Sequence, residues 1–195
     1  MKVFAYCADT FKKSVRKAAG VEPVTCPPMD AETFDPAWLE GHDLIYFDFH
    51  GLPGAAYWFE EICQSGMIMA ERVRALTADQ IRTVDLSGAI VFALSCYLGD
   101  EDSPMLDALL SAGASYVVGG DGKNWAATNR VTGANRLGRH FRKALERGKP
   151  PLQALSLAKK LLQLTLKPDS KTVRDTLAFR AYYRPEELHD HTKTT

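Results

Sequence analysis

Two dipeptides in this chain contain residue types that can carry nucleophilic chemistry, His50-Gly51 and Ser95-Cys96. A cysteine attacks as its thiolate, and an imidazole, with an unperturbed pKa of about 6.5, can take the thiol proton and return it to a leaving amine. Because glycine has no side chain, the amide of Gly51 can approach a reacting carbonyl and, with the amide of Cys96, donate to the developing oxyanion. These residues predict a thiol-imidazole pair.

Each dipeptide follows an apolar run that is typical of a buried parallel strand. Residues 44–49 (LIYFDF) precede His50, and residues 89–94 (AIVFAL) precede Ser95. In an open α/β sheet, functional residues gather beyond the carboxyl ends of the strands. We therefore expect His50 and Cys96 to face one cleft if their two strands are neighbours.

Strand and helix patterns alternate along the rest of the chain. Further strands are expected at 2–7, 21–26, 115–118 and 176–183, and helices at 10–18, 77–81, 103–112, 131–145 and 152–166. The stretch 51–75 is less regular and fits a small hairpin or an excursion over one edge of the sheet. Alternation with connections long enough for crossovers predicts an α/β fold with a mainly parallel sheet and helices on both faces.

Length, composition and charge exclude several classes of protein. A length of 195 residues with 46% apolar content predicts one domain, expected over residues 1–185, followed by a polar, disordered tail at 186–195. The 24 basic and 24 acidic side chains cancel, so the chain lacks the positive field of a nucleic-acid-binding protein. Charges interrupt the N-terminal apolar run before it reaches signal-peptide length, which predicts a cytoplasmic protein without a membrane segment.

The four cysteines are expected to be free thiols. Cys7, Cys26, Cys63 and Cys96 are widely spaced and none forms a CxxC pair, so neither a disulfide framework nor a zinc site is indicated. Cys7 and Cys26 fall in predicted strands and read as core residues, whereas Cys63 is unassigned. No metal and no cofactor is expected.

The two strand ends resemble those of the clan CD cysteine peptidases, which include caspases, metacaspases, gingipains, separase and bacterial CHAT domains. A histidine about 50 residues upstream of the cysteine is the caspase spacing. The CHAT type is the most similar, through the segments LTADQIRTVDLSGAIVFALSC and MLDALLSAGASYVVGG and the later Trp125. The resemblance implies a caspase-like three-layer αβα sandwich and hydrolysis of peptide or protein substrates, with Cys96 as nucleophile, His50 as acid and base, and Gly51 as an oxyanion donor.

The resemblance also implies where a specificity pocket lies, and the sequence departs from the family there. Leu94 stands where caspases carry glutamine and metacaspases carry aspartate. The loops that build the pocket in those families contain Asp9, Asp121 and Trp125 here, a set that suits an arginine or lysine side chain. Alternatively, Asp9 caps the first helix and Asp121 faces solvent in a turn.

Three classes of function remain open from the sequence. The first is an active cysteine endopeptidase that works through a thioester acyl-enzyme, with a regulatory protein partner left open. The second is a caspase-like pseudoenzyme or interaction module without turnover. The third is another hydrolase or a nucleotide-binding protein, since Gly119 to Lys123 faintly resembles a phosphate loop but lacks its spacing. Asp48 shares a strand face with His50, where it could orient the imidazole or serve only the structure.

Overall fold

The computed structural model describes residues 1–62, 71–125, 127–128, 130–165 and 171–184. The strands are β1 (Val3–Ala8), β2 (Val24–Cys26), β3 (Leu44–Asp48), β4 (Tyr57–Ile62), β5 (Glu71–Thr77), β6 (Ile90–Ala93), β7 (Tyr116–Gly119) and β8 (Arg180–Tyr182). The helices are α1 (Lys12–Ala19), α2 (Ala78–Arg82), α3 (Pro104–Ser111), α4 (Gly133–Leu145), α5 (Pro151–Thr165) and α6 (Lys171–Leu177). Cys63 and the expected tail at 186–195 lie outside the described residues.

A six-stranded sheet in the order β2-β1-β3-β6-β7-β8 forms the centre of the molecule. Every pairing in it is parallel except that of β8 with β7. The mainly parallel α/β architecture expected from the apolar runs is therefore observed. β3 and β6, the two strands that precede the chemically suited dipeptides, are direct neighbours, with Phe47 opposite Ala93.

Alternation along β3 sends side chains to opposite faces of the sheet. On one face Tyr46 donates a hydrogen bond from its hydroxyl to Asn135 of α4, at 2.9 Å, and α1 and α5 pack beside α4. On the other face Phe47 contacts Trp58 of β4, with ring centroids 5.0 Å apart. Both faces of the sheet are thus covered, an arrangement compatible with three layers.

An antiparallel pair, β4 and β5, begins within the irregular stretch at 51–75, ends just beyond it at Thr77, and forms a sheet of its own. Thr77, the last residue of β5, caps α2 through a reciprocal hydrogen-bond arrangement with Gln80. Ser103 caps α3 in the same position, with proline following it. The hairpin alternative for this stretch is confirmed for the residues that the structure describes.

The expectation of a strand over 176–183 is wrong in its first half, because the chain is helical through Leu177 and β8 begins at Arg180. Threonine favours strands by propensity, but Thr176 is buried in a helix that packs against α4 and α5. Tertiary packing thus overrides a weak local preference. None of the helices in the described part of the chain is long and apolar enough to cross a membrane.

We predict that Gly138→Ala lowers the free energy of unfolding by about 1–3 kcal/mol, because the cost of overpacking exceeds the helix propensity that alanine gains over glycine. A methyl group at this position of α4 would lie 2.5 Å from the Tyr46 hydroxyl and 2.7 Å from the Phe92 ring, and both rings are fully buried. Urea unfolding measures the change. Arg139→Ala, at an exposed position one residue further along the helix, is the control, and an equal effect of both variants would contradict the prediction.

Candidate functional site

His50 is held at the point where β3 passes the hairpin. Its backbone exchanges two hydrogen bonds with Phe59 of β4, at 3.0 and 3.1 Å. The imidazole lies between two aromatic rings, with centroid distances of 5.2 Å to Phe11 and 5.7 Å to Phe59. The ring is therefore fixed by residues from two different elements while it remains partly exposed.

Glu60 is a site residue that the sequence analysis missed. Its carboxylate is buried and accepts backbone hydrogen bonds from Thr10 and Glu61, each at 2.9 Å. One oxygen lies 3.8 Å from Nε2 of His50, which is ion-pair range for a protonated imidazole. No sequence signal marked it, because only the pairing of β4 with the residue after β3 brings it to the histidine.

Cys96 sits in a turn held by Asn124, in the loop after β7. The Asn124 amide donates to Sγ at 3.3 Å, and the Asn124 side chain donates to the Ser95 carbonyl at 2.9 Å. Burial raises the pKa of the Cys96 thiol, and the charge of Asp48 raises it too, whereas the Asn124 amide and Lys123 lower it. Among the described residues no hydrogen bond joins Cys96 to His50.

The backbone beside Cys96 is strained. Tyr97 has φ of 62°, in the left-handed region that a bulky side chain rarely occupies. Its amide donates to the Gly122 carbonyl at 2.6 Å, and the Gly99 amide donates to Gly120 at 3.1 Å. Strain of this kind persists only where surrounding contacts impose it, and here the loop after β7 supplies those contacts.

Gly51 packs directly against the backbone of Cys96. A side chain at position 51 would overlap the Cys96 carbonyl oxygen and would lie 3.4 Å from the Cys96 amide nitrogen. Only glycine therefore allows the two strand ends to approach this closely. Neither the Gly51 amide nor the Cys96 amide donates a hydrogen bond to another of the described residues, so both can serve as donors.

His50, Gly51 and Cys96 open into one cavity of about 710 Å³. Its walls come from the carboxyl ends of β1, β3 and β6 and from the loop after β7. Its other lining residues are Thr10, Phe11, Asp48, Phe49, Leu52, Glu61, Leu94, Tyr97, Lys123, Asn124, Trp125 and Thr128. A cavity of this size can take several residues of an extended peptide, and its position is the one at which α/β sheets bind ligands.

The residues expected to set specificity are separated by the structure. Trp125 lines the cavity and is half exposed. Asp9 lines a different depression, together with Lys12 and Lys13. Asp121 accepts a hydrogen bond from the Tyr182 hydroxyl at 2.6 Å and lies 3.5 Å from Arg180, so its carboxylate is engaged with the last strand rather than with the cavity.

Asp48 is a fully buried carboxylate that lines the cavity, whereas Glu61, the other carboxylate in its lining, is only half-buried. Asp48 accepts one hydrogen bond, from the side-chain amide of Asn135 at 2.9 Å. Burial raises its pKa to about 8, Asn135 opposes that shift, and the charge of Glu60 adds to it. Among the described residues no hydrogen bond joins Asp48 to His50, and the carboxylate within ion-pair range of that ring is Glu60.

No protein-family model matches this chain, and no curated protein matches it significantly. Across the described residues, no group of three or more histidine, cysteine or acidic side chains is placed to hold a metal ion. Cys7 and Cys26 are buried free thiols.

Asp48→Asn should stabilise the protein at pH 8, and the gain should shrink towards pH 4. With a folded pKa of about 8 and an unfolded one near 3.9, the native state keeps a proton that the unfolded state releases, so stability falls by up to about 1.4 kcal/mol per pH unit across that window and levels off above it. Thermal melting at pH 5, 6.5 and 8 measures this. Asp102→Asn, at an exposed turn, is the control; a gain independent of pH would contradict the prediction.

Proposed function

We propose that this chain is a cysteine endopeptidase with a caspase-like fold, in which Cys96 is the nucleophile and His50 the acid and base. The observation that carries the proposal is the close packing of Gly51 on the Cys96 backbone, which directs both candidate catalytic side chains into one cavity. Its substrate is a peptide or protein, and its catalytic unit is the single domain expected over residues 1–185.

The proposed reaction has two steps. The Cys96 thiol gives its proton to His50, and the sulfur attacks the scissile carbonyl carbon while the Gly51 and Cys96 amides donate to the resulting oxyanion. Collapse breaks the C–N bond, and the leaving amine takes the proton from His50. Water, deprotonated by His50, then attacks the thioester and releases the carboxylic acid and the free thiol.

The resting state favours a neutral thiol, since burial raises the pKa of Cys96. Proton transfer then has to be driven by interactions that form with substrate or that stabilise the imidazolium. Glu60 supplies one of these interactions, because its buried carboxylate lies 3.8 Å from Nε2 and attracts the imidazolium once proton transfer has formed it. Two backbone amides already hold Glu60 in place, so it needs little rearrangement when the charge appears.

A pseudoenzyme that binds peptides without cleaving them is the second candidate. The raised pKa of Cys96 and the missing hydrogen bond between Cys96 and His50 in the described residues favour it. The two candidates share the cavity and differ in turnover, so an activity measurement with trapping of the acyl-enzyme separates them.

Cys96→Ala is expected to abolish peptide hydrolysis, and His50→Ala to lower kcat/KM by at least about a hundredfold, the usual contribution of a general acid or base. A library of fluorogenic peptides measures turnover, and intact mass spectrometry after acid quenching detects an acyl group on Cys96. Cys26→Ala, a change at a fully buried thiol outside the cavity, is the control. Peptide binding with no turnover in the native protein would favour the pseudoenzyme.

Glu60→Gln should lower kcat by about tenfold with little change in KM, because Glu60 acts through His50 rather than on the substrate. Steady-state kinetics on the best peptide from that library measures both constants, with melting temperature recorded to detect unfolding. Glu22→Gln is the control, since this exposed glutamate pairs with Lys12 and Arg16 and is not among the residues that line the cavity. An increase in KM without a fall in kcat would remove Glu60 from its positioning role.

A further inference from the structure

We propose that Asp48 determines the substrate class: its buried carboxylate, which lines the cavity, binds the cationic side chain of an arginine or lysine that precedes the cleaved bond. This inference rests on the proposed peptidase function. The sequence predicts that Asp9 and Asp121 bind an arginine or lysine side chain of the substrate. The inference assigns that binding to Asp48 instead, which lines the cavity with His50 and Cys96.

The two carboxylate oxygens of Asp48 differ in their hydrogen bonding. Oδ2 accepts from Asn135 at 2.9 Å, whereas Oδ1 is buried and has no hydrogen-bond partner among the described residues. Asn135 is oriented in turn, because its own oxygen accepts from the Tyr46 hydroxyl and its amide contacts Ser14 at 3.4 Å. The fold therefore fixes the carboxylate through one oxygen and leaves the other for a donor that enters from the cavity.

The cavity has apolar walls beside Asp48. Phe11, Phe49 and Leu94 line the same cavity and are almost fully buried. Apolar walls beside a buried carboxylate match the shape of a long basic side chain, whose methylene stem packs on apolar surface while its head keeps a charged partner. An acidic or a short polar side chain would leave either the walls or the carboxylate without a partner.

A further support is the position of Asp48 relative to the reacting atoms. Asp48 precedes His50 by two residues, about 6.6 Å along an extended chain, which is about the reach of a long basic side chain. Leu94, the cavity residue that follows the partner strand β6, precedes Cys96 by the same two residues. A peptide whose carbonyl lies at Cys96 can therefore place the preceding side chain over both Leu94 and Asp48.

The titratable groups around Asp48 come from four elements. They are Cys7 on β1, Tyr46 on the same strand, Glu60 on β4 and Cys96 after β6. The pKa values of Cys7, Tyr46 and Cys96 are all raised, so these groups stay neutral through pH 8. The pKa of Asp48 is about 8, so a cation that binds there near neutral pH must displace the proton of Asp48. The affinity for the cation should therefore rise with pH, by up to tenfold per unit below about pH 8.

The experiment compares peptides that differ only in the residue before the cleaved bond, namely arginine, lysine, citrulline and aspartate. Citrulline has the shape of arginine without its charge. We expect kcat/KM for arginine and lysine to exceed that for citrulline by at least tenfold, and Asp48→Asn to reduce that ratio to near one. Any effect of other titrating groups on catalysis applies equally to the citrulline peptide, so it cancels in the ratio of the two kcat/KM values. Asp102→Asn is the control for removal of a carboxylate outside the cavity.

A second arm makes the result independent of turnover. Cys96→Ala, alone and combined with Asp48→Asn, is titrated calorimetrically with the uncleaved arginine and citrulline peptides at pH 6, 7 and 8. Preference for arginine that increases with pH and disappears with Asp48→Asn supports the inference even if no peptide is cleaved, in which case the proposed peptidase function fails alone. Cleavage or binding without an Asp48-dependent preference for arginine would overturn the inference and leave the peptidase function standing.

Discussion

The parallel pairing of β3 with β6 is the interaction on which the candidate site depends. In parallel neighbours the carboxyl ends lie at the same edge of the sheet, so the residues that follow each strand are brought side by side. Gly51 turns this proximity into direct backbone contact with Cys96. Any larger residue there would force the two ends apart and separate the imidazole from the thiol.

The neighbours of the pair then fix each reactive group by backbone hydrogen bonds. β4 holds the backbone of His50 through Phe59, while the loop after β7 holds Cys96 through the amide of Asn124. The left-handed conformation of Tyr97 belongs to the same arrangement. Groups placed this way need little reorganisation when charge develops, which is the condition for efficient electrostatic stabilisation.

Two buried carboxylates near the cavity differ in how well their oxygens are satisfied. Glu60 accepts a backbone hydrogen bond on each oxygen and faces His50. Asp48 accepts one hydrogen bond and has one buried oxygen without a partner in the described chain. A half-satisfied buried carboxylate costs stability, and the proposed basic side chain would supply the missing partner.

Local patterns in the sequence determined most of the strands and helices and the two candidate positions, because apolar runs specify buried strands and His50-Gly51 and Ser95-Cys96 follow them directly. Contacts between distant segments were decided only by the tertiary structure. Glu60 reaches His50 through the pairing of β4, and Asp121 turns towards Tyr182 and Arg180 instead of the cavity. Neither depends on local residue patterns, since sheet order and hairpin packing set which side chains meet. The same holds for Asp48, whose proposed role depends on its burial and on its hydrogen bond from Asn135 on α4.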